Sequence, residues 1–89
     1  MHIITEKVPD GKLVRIKVSF ENNTIKTIQI TGDFFVHPES AIEKLEQCLA
    51  GIDTQNIKKT LDEKIAQDKI EIIGFTSNDI ARMIEQVKL

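Results

Sequence analysis

Gly32-Asp33-Phe34-Phe35-Val36-His37-Pro38-Glu39 is where the patterning of this 89-residue chain changes. Before it, apolar residues recur at every second position, the period of a strand. After it, they recur every third or fourth position, the period of a helix. The stretch itself joins a glycine, an acid and two of the four phenylalanines to a proline, and so reads as a strand-to-helix corner. An aromatic pair at such a corner either locks a small core or shows an aromatic surface to a partner.

Working back from the corner, the first third is β. Val14, Ile16, Val18 and Phe20 alternate with Arg15, Lys17, Ser19 and Glu21, one set facing a core and the other water. Pro9-Asp10-Gly11 and Asn22-Asn23 are turn signals on either side. A strand over 24–31 is expected to bury Ile28 and Ile30, and a weaker edge strand covers Ile3 to Val8. The result is a three-stranded antiparallel meander.

Working forward, Ala41, Ile42, Leu45, Cys48 and Leu49 form one stripe, with Glu39, Glu43, Lys44, Glu46 and Gln47 opposite. Pro38 suits the first helical position, the early glutamates suit its positive end, and Gly51 suits the stop. A second helix, capped by Thr54, carries only a thin stripe of Ile57, Leu61 and Ile65. Ile70 to Ile73, ended by Gly74, is a small strand or extended link, a short fourth strand beside the meander. A last helix starts at Thr76 or Ser77, whose hydroxyls suit a cap, and buries Ile80, Ala81, Met83, Ile84 and Val87. Strands first and helices after predict a single α+β domain over 1–89, about three helices on one face of a small antiparallel sheet. Arg15, Lys17, Ser19 and Glu21 are then the sheet's wet side.

Composition narrows the chemistry. The chain has no Trp or Tyr, so Ile, Leu, Val and four Phe supply a modest core. Twelve basic and fourteen acidic residues, interleaved, argue against an electrostatic nucleic-acid surface. One cysteine forms no internal disulfide, the start lacks a signal-peptide layout, and no apolar run approaches the roughly 20 residues that span a bilayer. A cytoplasmic setting is expected.

No catalytic set is visible. Glycines 11, 32, 51 and 74 never cluster as a phosphate loop requires. Cys48, on the buried stripe, reads as core rather than redox thiol. His2 and His37 lack partners at metal-ligand spacing, and His37 is expected to border the helix start. Asn22-Asn23-Thr24 matches the glycosylation triplet but reads as a turn. Asp33 is expected to accept backbone amide hydrogen bonds at the corner, fixing it so that one of Phe34 and Phe35 points inward and the other toward a partner. These residues describe a small binding module.

The order Gly11-Lys12-Leu13-Val14, Ile25 to Ile30, Gly32-Asp33-Phe34-Phe35 with Pro38-Glu39, Leu45-Glu46 to Leu49-Ala50-Gly51, and Gly74-Phe75 with Asp79-Ile80-Ala81 resembles the C-terminal domain of lipoate–protein ligases. The resemblance covers nearly the whole chain. In that family a large catalytic domain, missing here, binds lipoate and ATP, forms lipoyl-adenylate and transfers the lipoyl group to a lysine of an acceptor domain. The resemblance therefore implies a split ligase, in which this chain is the separate accessory subunit. It supports activation, binds no cofactor alone, partners the catalytic chain and serves lipoyl acceptor domains indirectly. It also implies a fold similar to sulfur-transfer and iron–sulfur scaffold proteins, which makes a sulfur-trafficking or iron–sulfur assembly adaptor the alternative. The expected partner interface is Gly32, Asp33, Phe34, Phe35, His37 and Pro38.

Overall fold

The computed structural model describes residues 1–9 and 11–88. Strand β1 (His2–Lys7) pairs antiparallel with β2 (Leu13–Glu21), and β2 with β3 (Thr24–Gly32), giving the expected meander in the order β1-β2-β3. Of the Pro9-Asp10-Gly11 turn, Asp10 lies outside the described residues. The Asn22-Asn23 turn holds Asn22 at φ 58°, a left-handed conformation that Asn tolerates.

One face of the meander is dry. Val14, Ile16 and Val18 are fully buried, with Ile30 beside them. The period-two reading is broken once, on β3. Ser19 pairs with Thr27 but Phe20 pairs with Ile25, so Lys26 is an extra residue. A bulge of this kind reverses the parity of everything beyond it. Ile25 therefore turns inward and is fully buried, whereas Ile28, expected in the core, is only half-buried.

Three helices cover that face among the described residues. Helix α1 (Ala41–Leu49) packs on β3, and α3 (Ser77–Val87) packs on β1 and β2. Helix α2 (Ile57–Gln67) packs against α1 and α3. Its thin stripe follows from that position: Ile57 and Leu61 are buried and Ile65 is half-buried. No helix among the described residues is long and apolar enough to cross a membrane.

The helix ends differ from expectation in two places. Helix α1 begins at Ala41 rather than Pro38, with Ser40 as its N-cap, and the Ala41 N–H donates to the Pro38 carbonyl at 2.9 Å. Thr54 does not cap α2. Asp53 caps a 3₁₀ turn over Thr54–Asn56 that feeds α2, its Oδ1 accepting from the Gln55 N–H at 2.9 Å. Thr54 is buried and accepts from Lys88 Nζ at 2.7 Å. For α3 the cap is Thr76, in a reciprocal box with Asp79, and the Ser77 hydroxyl donates to Asp62 on α2.

The segment at Ile70–Ile73 is a strand, β5 (Glu71–Ile73). It does not join the meander. It pairs antiparallel with β4 (Phe35–His37) as a separate two-stranded ribbon, Phe35 opposite Ile73, Val36 opposite Ile72 and His37 opposite Glu71.

Candidate functional site

The corner at 32–39 thus holds a short strand of its own, β4, and alternation along it sorts the side chains. Phe34 turns inward, half-buried, and meets the buried Phe75 edge to face with ring centroids 4.8 Å apart. Phe35 turns outward and is 71% exposed. One phenylalanine is inside and one outside, as expected of the corner.

Backbone packing holds this arrangement. Gly32 (φ +151°) passes so close to β2 that an added Cβ would lie 2.2 Å from the Leu13 carbonyl oxygen. Gly74 (φ +121°) lies against Phe34, where a Cβ would come within 2.8 Å of the Phe34 Cβ. Neither position leaves room for a side chain, and L residues rarely adopt either conformation. The Lys12 N–H donates to the Gly74 carbonyl at 2.9 Å, so the β1–β2 turn, the corner and the end of β5 meet at one place.

The remaining corner residues are at the surface. Asp33 does not anchor the corner through its carboxylate: its side chain is exposed, and the tie to the fold is its own N–H, donating to the Leu13 carbonyl at 3.0 Å. His37 is exposed at the end of β4, and Pro38, also exposed, follows a cis peptide bond. Gly32, Asp33, Phe34, Phe35, His37 and Pro38 therefore do form one region, whose exposed apolar group is Phe35.

Sequence reading missed the other half of the region. Ile73, 63% exposed, stands across the ribbon from Phe35, and Glu71 stands across from His37. With Val36 and Glu39 these residues line a hollow of about 210 Å³. The apolar, β-branched run ending at Gly74 was the available signal for a strand, but nothing in it named β4 as the partner.

Cys48 sits elsewhere. It is half-buried on α1 rather than fully inside, and its thiol donates to the Leu45 carbonyl at 3.1 Å. Burial pushes its pKa up from the ordinary value, with nearby Lys64 opposing this in part. A thiol kept protonated is a poor nucleophile and a poor metal ligand, which counts against a sulfur-trafficking role. His2 lies against Phe20 with the rings tilted by 49° and their centroids 5.5 Å apart. Among the described residues no group of three or more His, Cys, Asp or Glu converges as a metal site would need.

Known proteins match this chain in sequence and in fold. The model of the bacterial lipoate protein ligase C-terminus family matches residues 2–84. Lipoate-protein ligase A subunit 2 of Thermoplasma acidophilum is 39% identical over 59 residues, an alignment that covers 64% of this chain and 63% of that protein. The matched part thus spans less than two thirds of the curated relative. A solved structure of an archaeal lipoylation system, a bi-partite lipoate protein ligase and its E2 lipoyl domain from Thermoplasma acidophilum, contains a chain of the same fold. Its TM-score is 0.79 at 26% identity, over 93% of this chain and 94% of that one. With a family model matched from the first strand into the last helix, the chain belongs to the bacterial lipoate protein ligase C-terminus family.

Proposed function

We propose that this chain is the non-catalytic accessory subunit of a two-chain lipoate–protein ligase. A separate catalytic chain uses ATP to activate lipoate as lipoyl-adenylate, before transfer to a lysine of lipoyl acceptor domains. The observation that carries the reading is the structural match, which spans nearly all of both chains and belongs to a bi-partite ligase.

The chemistry gives such a subunit a physical task. Adenylation brings two anions together, the lipoate carboxylate and ATP, and must exclude water. A small rigid domain that docks beside the site orders its loops and closes it without supplying a reacting group. This chain then holds neither lipoate nor ATP alone. The docking surface in this reading is the corner at Gly32, Asp33, Phe34, Phe35, His37 and Pro38. Phe34 and the two tight glycines keep its backbone rigid, and Phe35 is the exposed anchor. The setting is cytoplasmic, which the free thiol of Cys48 suits.

The test is pyrophosphate release from lipoate and ATP by the catalytic chain, with and without this one. Formation of a one-to-one complex and a clear gain in rate is the expected result. Equal rates and no complex would refute the reading.

A further inference from the structure

The β4–β5 ribbon has two unlike faces. Val36 and Ile72 are half-buried against the core. On the other face Phe35, Ile73, His37 and Glu71 all point to solvent, and Glu39 closes one side of the hollow they form. Two large apolar side chains, 71% and 63% exposed and directly paired, sit beside two carboxylates. Among the described residues, no Lys or Arg lines the hollow.

We propose that this ribbon face recognises an apolar side chain flanked by a lysine or arginine on the catalytic ligase chain. The proposal rests on the accessory-subunit reading and extends its docking surface to Glu39, at the end of the corner, and to β5, which lies outside it. A compact apolar pair with a polar rim is the anatomy of an interface anchor, since an aromatic hot spot works best where surrounding groups exclude water. The rim selects the occupant. A wholly apolar partner would strip water from Glu39 and Glu71 and return no counter-charge, a large penalty for ionised groups. An acidic partner would be repelled. A second copy of this chain, docked face to face, would set Glu39 and Glu71 of one copy against those of the other. A cation beside the apolar group satisfies both halves of the site.

The experiment is a calorimetric titration of the full chain with the catalytic chain of the two-chain ligase, at low and high salt. Ile73→Ser is expected to weaken binding by roughly tenfold or more, as loss of an interface anchor does. If Ile73→Ser proves poorly folded by circular dichroism, Ile73→Thr keeps the β-branched shape and serves instead. The double change Glu39→Gln with Glu71→Gln is expected to weaken binding by about fivefold at low salt, a difference that shrinks at high salt as screening removes it. Ile3→Ser, on the wet face of the meander, is expected to bind as the parent does. Parent-like affinity for both Ile73 variants would overturn this inference and leave the accessory reading standing. Tighter binding by the glutamine variant would overturn the cationic part. Self-association lost in Ile73→Ser would make a second copy the occupant and overturn the inference. Failure of the parent chain to bind the catalytic chain would overturn both readings together.

Discussion

Lys69 holds φ at 52°, just past the end of α2, where an L side chain crowds the following carbonyl. The position is the left-handed exit of a helix, closed by the Ile70 N–H donating to the Ile65 carbonyl at 3.0 Å. Glycine meets that geometry without the steric penalty. Lys69→Gly is expected to raise stability by about 1 kcal/mol, read as a higher urea midpoint with an unchanged slope. Cys48 gives a second prediction. Since burial raises its thiol pKa above the ordinary 9.0, alkylation of the native chain should be slow at neutral pH and accelerate only as the pH rises past that value. Fast labelling of Cys48 at neutral pH would restore the sulfur-trafficking alternative. The stripe reading placed this cysteine on the right side of α1 but too deep. A helical stripe reports direction toward the core, not depth.

At the scale of elements, α3 was the plainest to read, because its signals are local. Thr76 accepts from the Asp79 N–H at 3.2 Å while Asp79 Oδ2 accepts from the Thr76 N–H at 2.8 Å. Thr76→Ala is expected to cost about 1 kcal/mol of unfolding free energy, as cap removal does. The α2–α3 contact adds a pH dependence. Asp62 receives hydrogen bonds from Lys58 and then from Ser77, and these lower its pKa below the ordinary 3.8. A depressed carboxylate stabilises the fold above its unfolded pKa and loses that contribution as the pH falls through the folded one. Asp62→Asn should therefore lower stability at neutral pH by no more than about 1 kcal/mol, the site being exposed, and parent and variant melting curves should converge in strong acid. Harder to read were the elements whose form depends on a neighbour. The start of α1 slid from Pro38 to Ala41 because Val36 and His37 are held in the ribbon by β5. The bulge at Lys26, which turns Ile25 inward, has no mark in the sequence around it.

For the molecule as a whole, the proposed docking makes the two corner phenylalanines separate folding from recognition. Phe34 is half-buried on Phe75, so Phe34→Ala is expected to cost about 2 kcal/mol, roughly half the loss at a fully buried Phe. Phe35→Ala should change stability by no more than about 0.5 kcal/mol yet weaken association with the catalytic chain. Thermal melts and binding titrations on the same two proteins check both statements. If both changes lower stability and neither alters binding, the corner is core alone. The α+β class, the meander and the three helices were already determined by the sequence. Each of these follows from interactions within a few residues, which period and capping report directly. Only the tertiary structure decided that β5 leaves the main sheet for β4, and that Glu39, Glu71, Phe35 and Ile73 share one hollow. A three-residue strand carries too little pattern of its own to specify a partner. Its pairing is set by the packing of Phe34 on Phe75 and the close approach of Gly74, contacts between segments far apart in the chain.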